Sequence, residues 1–342
     1  MELHEDQRLF LEILGAASTA MSINPIFLEK DYWITRALRR LAQSADHAQV
    51  VFKGGTSLSK GWHIGHRFSE DLDLAITGQS NSSGNQQRNL LRRVHRYLAA
   101  GLPETQVPGK TSKGSRYYKV YHEYPSVVLG ASPAAIATGK LLLEISSFAN
   151  PHPCVPMPIQ SLVANFLTSA GHPELISDFH LEPFHLNILD KRQTFLEKLV
   201  ALIRASLASQ PSVELSRKIR HFYDLHYLRQ DNEVQAYLSS GNWARDFLQL
   251  FRHDQDIFDF PGGWQNRSPL ASPLVNAFED IWPGLEKTYL AELSSLVYSD
   301  FPLAEEVKTS AAAIFQVLGN HLAKEAPAQI EPKIYSHGFL MR

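Results

Sequence analysis

The sequence predicts an α+β protein, with helices and strands mixed in the N-terminal half and helices alone in the C-terminal half. Short strand-like apolar runs fall within the first 150 residues, between stretches whose apolar residues recur at helical steps. A proline-rich piece, ANPHPCVPMP at 149–158, follows them as an expected domain boundary, and beyond it nearly every periodic stretch is helical. The expected domains are therefore 1–150, 151–326 and a loosely held tail at 327–342.

From 5 to 44 the apolar positions Phe10, Leu11, Leu14, Phe27, Leu28, Trp33, Ile34, Leu38 and Leu41 recur at three- and four-residue steps. Ser22-Ile23-Asn24-Pro25 divides this stretch into two helices, with Pro25 suited to the first turn of the second. A short strand at 49–52 ends at Lys53-Gly54-Gly55, a helix or tight turn begins near Thr56, and 71–76 alternates as a second strand. The segment 77–85 is too rich in Gly, Ser and Asn for anything but an exposed loop. A helix follows at 88–100, then strands at 116–122, 127–130 and 140–148. Helices at 159–169, 192–207 and 213–229 lead into three or four more before Ala326.

The 342 residues suit two domains, and 44% hydrophobic with 20% charged residues describes a globular chain with a substantial core. No run approaches the roughly 18 apolar residues of a membrane span. The start, MELHEDQRLF, is acidic where a secretory signal is basic, and a single cysteine, Cys154, forms no internal disulfide. A cytoplasmic protein is expected. Lys+Arg 33 against Asp+Glu 35 leaves a net charge of −2, so nucleic acid would have to bind a local basic patch. The fifteen histidines are scattered, and His63 and His66 in GWHIGHR come closest to a ligand spacing.

One constellation carries chemistry: Lys53-Gly54-Gly55-Thr56-Ser57-Leu58-Ser59-Lys60, then Arg67-Phe68-Ser69-Glu70-Asp71-Leu72-Asp73-Leu74. Strand alternation puts Asp71 and Asp73 on one face and Leu72 and Leu74 on the other. Two carboxylates that close repel, and a bridging divalent cation relieves them; all-oxygen ligands suit Mg²⁺ or Mn²⁺. The glycine pair removes side chains where backbone amides and the Thr56 and Ser57 hydroxyls can cradle a triphosphate. Metal and phosphate cradle together mean phosphoryl or nucleotidyl transfer. The spacing is neither a P-loop nor a dinucleotide fingerprint.

The run GGTSLSK…RFSEDLDLAI resembles motif I of the nucleotidyltransferase superfamily, specifically the AbiEii/AbiGii toxin branch of bacterial phage-defence and toxin–antitoxin modules. Glu29-Lys30-Asp31-Tyr32-Trp33 is similar to the segment before that motif, and Arg220-His221-Phe222-Tyr223-Asp224-Leu225 to a later Asp-bearing motif. The resemblance implies a polymerase β-type mixed sheet with a helical domain completing the cleft. It implies Asp71 and Asp73 as metal ligands and Gly54, Gly55, Thr56, Ser57 and Lys60 as nucleotide-binding residues. Glu144, the only acid at 140–145, would be the third carboxylate, as metal ligand or general base. Lys198 would contact the triphosphate, and Asp224 would orient Lys198 or the nucleotide. His221 departs from the pattern, standing where a second acid is often found. The turn at Gln210-Pro211-Ser212 makes 192–207 and 213–229 an antiparallel hairpin that can set Lys198 and Asp224 on one wall.

Arg88, Arg92 and Arg96 share one face of the 88–100 helix, and Arg116 and Lys119 follow among tyrosines, a pairing that suits RNA backbone and unstacked bases. A solvated helix face is the other reading of the same charges. The resemblance implies NTP as co-substrate, a tRNA 3′ end as acceptor, inhibition of translation and growth, and a nearby antitoxin that need not touch the toxin. A protein or small-molecule acceptor, or a nucleotide-binding regulator without transfer activity, are the rival readings.

Overall fold

The computed structural model describes residues 1–69, 71–77, 83–128, 139–147 and 153–325. Residues 78–82 of the expected loop, 129–130 and 148 of two expected strands, 149–152 of the proline-rich piece and the tail at 327–342 lie outside the described residues.

The chain opens with α1 (Gln7–Met21), α2 (Pro25–Ala42), β1 (Val50–Lys53), the short α3 (Gly54–Ser57), β2 (Asp71–Ile76) and α4 (Gly84–Ala99). Then come β3 (Glu104–Thr105), β4 (Ser112–Lys113), β5 (Tyr117–Glu123), β6 (Lys140–Ser146) and β7 (Cys154–Ile159). Two helices, α5 (Leu162–Ser169) and α6 (Pro173–Asp178), precede the last strand, β8 (Phe184–Leu189). The rest is helical: α7 (Lys191–Ser206), α8 (Pro211–Ser216), α9 (Ile219–Gln230), α10 (Asn232–Ser239), α11 (Asn242–Ile257), α12 (Pro273–Asn276), α13 (Phe278–Leu293) and α14 (Ala304–Glu325).

Local chemistry explains the breaks. Asn24 caps α2 by accepting from the Ile26 N–H, and Pro25 occupies the first turn, where its missing N–H costs nothing. Ser83 and Gln86 form a capping box at the start of α4. Asp190 caps α7 through the Arg192 N–H.

The strands form one mixed sheet in the order β3-β5-β6-β2-β1-β8-β7, with β4 also paired to β5. β1 runs parallel to β8 and β2 parallel to β6, and the remaining pairs are antiparallel. Alternation sorts the faces: Phe52, Leu72, Leu74, Val120, Leu143, Ile145 and Ile188 bury against α1, α2, α4 and α5 in a first core. A second core joins α7 to the later helices around Phe195, Phe222, Trp282 and Phe315. The two interlock, since Leu58 belongs to the second core and Leu296 to the first. No single helix among the described residues is long and apolar enough to cross a membrane; α1 and α2 pass only as a pair bent by 115°, and both are packed into the first core.

Three expectations are corrected. The second half of the proline-rich piece, expected as a domain boundary, is β7, an edge strand of the sheet. Pro156 and Pro158 sit two apart, so both can turn their missing N–H groups to the open edge. The sheet therefore runs past residue 150, through β8, and the two cores divide the chain near Asp190. Val127 and Val128 are not in a strand; Val127 instead donates its N–H to Glu29 on α2. The helix expected at 213–229 is two helices, broken at Arg217-Lys218.

Leu143 sits fully buried at the centre of β6. Leu143→Ala is expected to cost about 2–5 kcal/mol of stability, read from urea unfolding monitored by circular dichroism.

Candidate active site

Residues of one parity on β1, β2, β5 and β6 pack into the first core, so their neighbours must face the other way. Register aligns those neighbours: Lys53 pairs with Asp73, Asp73 with Glu144, and Glu144 with Lys119. The row across four strands reads cation, carboxylate, carboxylate, cation. Asp71 stands two residues from Asp73 on the same face of β2. Lys119 Nζ lies 2.5 Å from Glu144 Oε1, and the Tyr117 hydroxyl donates to Glu144 Oε2 at 2.8 Å. At the other end Lys53 Nζ reaches Glu197 on α7 at 2.6 Å.

A second wall comes from the helical half. Asp224 on α9 accepts from Arg67 Nε and Nη2, each at 2.7 Å, and from Lys198 Nζ on α7, also at 2.7 Å. All three side chains are buried. Arg67 is delivered by the segment before β2, which pairs with residues 296–298: Phe68 N–H donates to the Leu296 carbonyl and Tyr298 N–H to that of His66. The His66 N–H donates in turn to the Tyr223 hydroxyl on α9.

Packing accounts for the glycine pair. Gly54 has φ +78°, and a Cβ there would overlap the Asp73 carboxylate. A Cβ on Gly55 would stand 2.5 Å from Arg67 Nη2. The two glycines make room for an acid and a guanidinium that must both approach the turn.

The electrostatics follow from this crowding. Burial pushes the Asp73 carboxyl up to about 8, helped by Glu144 and Asp71 and opposed by Lys53 and Lys198. Asp224 goes the other way: burial would raise it, but Arg67 and Lys198 hold it well below the usual carboxylate range. Burial would likewise lower Lys53, yet Glu197 and Asp73 raise it. Lys218 is lowered by burial and by Arg204 and Lys198. His221 falls well below its ordinary value, through burial and then Lys198 and Lys218.

These walls enclose a cleft of about 870 Å³, lined by Gly54, Gly55, Asp71, Asp73, Glu144, Lys53, Arg67, Lys198 and, on its helical side, Arg204, Arg217, Lys218, Arg220 and His221. That is room for a nucleotide-sized ligand. Asp71, Asp73 and Glu144 offer only oxygen donors, the set that suits Mg²⁺ or Mn²⁺, and Asp73 is raised first by its burial and then by the two neighbouring acids.

Of the residues singled out in the sequence, the structure gathers Asp71, Asp73, Glu144, Lys198, Gly54 and Gly55 around this cleft. Three others turn away. Lys60 forms an ion pair with Asp31 at 2.6 Å and donates to the Gln160 carbonyl, because the turn at Leu58–Trp62 rotates it behind the glycine pair. The buried Thr56 hydroxyl donates to the Asp71 carbonyl and the buried Ser57 hydroxyl to the Gly54 carbonyl, so neither is aimed into the cleft. Asp224 bonds Arg67 and Lys198, and Arg220 lines the cleft.

The expected RNA patch divides. α4 seats Leu90, Leu91, Val94 and Leu98 in the first core, which leaves Arg88, Arg92 and Arg96 exposed behind the sheet, on the side away from the acids. Arg116 is exposed before β5, whereas Lys119 is in the cleft beside Glu144. Lys53 and Arg67, which the sequence placed in the constellation without a role, join the site, and so do Glu197 and Tyr117. Only the strand alternation that placed Asp71 and Asp73 could have flagged Tyr117 and Lys119 as sharing one face of β5.

With the geometry in place, comparisons add a family. The model described as "Nucleotidyl transferase AbiEii toxin, Type IV TA system" matches residues 36–314. No curated protein matches the chain. Among solved structures, the chain is similar to MenT4, a nucleotidyltransferase toxin from Mycobacterium tuberculosis H37Rv, at 14% identity and a TM-score of 0.51, covering 89% of each chain. It is also similar to JHP933 from Helicobacter pylori, at 18% identity and a TM-score of 0.43, over 89% of this chain and 97% of that one. At such identities the MenT4 likeness concerns the fold.

Removing the buried acid with Asp224→Ala leaves Arg67 and Lys198 uncompensated and is expected to cost about 3–5 kcal/mol in urea unfolding, against under about 1 kcal/mol for a solvated pair. Asp73 has the opposite sign of linkage. Its unfolded carboxyl ionises near about 3.9 and its folded one near 8. The unfolded chain thus releases that proton first, and stability falls as pH rises through this window. In EDTA, Asp73→Asn should therefore melt higher than wild type at pH 8, with the gap closing toward pH 4; a lower melting point at pH 8 would contradict this electrostatic picture.

Proposed function

Since the chain belongs to the AbiEii nucleotidyl transferase toxin family of type IV toxin–antitoxin systems, we propose that it is a metal-dependent enzyme transferring NMP from an NTP to an RNA 3′ end, that of tRNA above all, and so halts translation and growth. Its being a nucleotidyltransferase toxin is the family's own property. The observation that carries it is the acidic face itself: Asp71, Asp73 and Glu144 side by side across two strands, in one cleft with Lys198, Arg204, Arg217, Lys218 and Arg220 from the helical side.

In this reading Asp71 and Asp73 hold a divalent cation, which when bound offsets triphosphate charge and that of the transition state. Lys198, kept in place by Asp224, contacts phosphate oxygens, and Arg67 stabilises that arrangement. The backbone of Gly54-Gly55 borders the phosphates without side chains in the way. The acceptor hydroxyl oxygen forms a bond to the α-phosphorus as the bond to the β-phosphate oxygen breaks and pyrophosphate leaves. Glu144 takes the hydroxyl proton on a carboxylate oxygen, with Tyr117 and Lys119 fixing its orientation. Arg204, Arg217, Lys218 and Arg220 support a polyanionic acceptor on the helical side of the cleft. Lys218 is lowered first by burial and then by Arg204 and Lys198, and a phosphate beside it would favour its charged form. The family also implies an antitoxin, which we take to act from a neighbouring gene without binding the toxin.

The test is incubation of the full chain with each labelled NTP, Mg²⁺ and total tRNA. Label should enter the tRNA band, vanish in EDTA, and fall by at least about a hundredfold in Asp71→Asn and Asp73→Asn, whose folding is checked by circular dichroism. Label running with protein or with a small molecule would replace the RNA acceptor, and no labelled product from folded wild type would overturn the transfer reading.

A further inference from the structure

Behind the sheet, on the side away from the cleft, lies a second cluster of ligand-bearing side chains: His95 on α4, Glu104 on β3 and His122 on β5. Glu104 and His122 are direct cross-strand partners in the β3–β5 pair, so register puts them side by side. His122 faces this way because Lys119, three residues earlier, faces the cleft. One ligand atom from each of the three lies within 4.8 Å of the other two.

The geometry is that of a nearly assembled imidazole pair. His95 Nε2 and His122 Nε2 stand 3.1 Å apart. Two nitrogens bound to one tetrahedral Zn²⁺ at about 2.05 Å would be about 3.3 Å apart, so a shift of a few tenths of an ångström admits the ion. His122 Nδ1 contacts the Leu102 carbonyl at 3.1 Å. A carbonyl only accepts, so Nδ1 carries the proton and Nε2 presents its lone pair to His95. That outer bond to a backbone carbonyl is the support metal-binding histidines usually have. Glu104 supplies the carboxylate from the exposed edge; Lys113 and Gln106 hold it now, through exchangeable surface contacts.

We propose that His95, Glu104 and His122 form a metal site, distinct from the catalytic acids, for Zn²⁺ or a neighbouring divalent transition ion. The donor set separates the two sites chemically. Two imidazoles and one carboxylate suit Zn²⁺, whereas the oxygen-only cleft suits Mg²⁺ or Mn²⁺. Exposure of Glu104 leaves the fourth position to water. The ion fastens α4 to the two-residue edge strand β3, which otherwise holds to the sheet through β5 alone.

The full chain, stripped with chelator and re-equilibrated with Zn²⁺ alone, is passed through gel filtration and its metal counted, with Co²⁺ in parallel for its visible absorption. One ion per chain should be retained, and retained equally by an Asp71→Asn, Asp73→Asn double variant. His95→Gln and Glu104→Gln should each weaken binding at least tenfold and remove the Co²⁺ band; Glu104 is exposed, so its variant folds even where a histidine change does not. No retained zinc, zinc indifferent to both changes, or zinc lost with the cleft aspartates instead would overturn the site. The double variant keeps this outcome separate from any failure of the transfer reading.

Discussion

Three carboxylates cannot share one face of a sheet without compensation, and most of the architecture around the cleft answers that constraint. Asp71, Asp73 and Glu144 project together because β2 and β6 run parallel in register. Lys53 and Lys119 close the row at either end, and Lys198 and Arg67 arrive from outside the sheet. Even so, the Asp73 carboxyl stays well above its ordinary range. Burial is the first cause of that rise, and a divalent ion held there would favour the ionised form.

The helical half does more than roof the cleft. Asp224 is the hinge of the arrangement, since one buried carboxylate orders a guanidinium from the segment before β2 and an ammonium from α7. A buried ion group of this kind is weak as a source of net stability, but losing one member strands the others. Its effect is to hold two separately built cores in one relation, reinforced where residues 66–68 pair with 296–298. The arrangement of the cleft and the packing of the two cores thus rest on the same few side chains. The cations on the helical side of the cleft come from α7, α9 and the break at Arg217-Lys218, while Arg88, Arg92 and Arg96 of α4 are exposed behind the sheet.

Much of this was legible in the chain. Helical periodicity located α1, α2, α4 and α7, and alternation located β2 with the faces of Asp71 and Asp73. What escaped has physical causes. β7 carries two prolines and reads as a domain boundary, and only its place at a sheet edge makes them tolerable in a strand. β8 was hidden because six residues between helical stretches carry little periodic signal, and its pairing, antiparallel to β7 and parallel to β1, is a tertiary matter. Lys60 and the Thr56 and Ser57 hydroxyls looked like phosphate ligands by proximity in sequence, yet a tight turn sends them to Asp31 and to the backbone.

By itself, the sequence determined the α+β class, the order of its major elements, the two aspartates on one strand face and the glycine turn before them, because those depend on periods of two and of about 3.6 residues and on local steric rules. It also carried, through its motifs, the family. Only the tertiary structure decided that Arg67 and Lys53 belong to the site, that Glu197 and Tyr117 hold its lysine and its third acid, and that His95, Glu104 and His122 meet behind the sheet. Such meetings are set by strand register and by the packing of helices far apart in the chain, and neither is written in any local pattern.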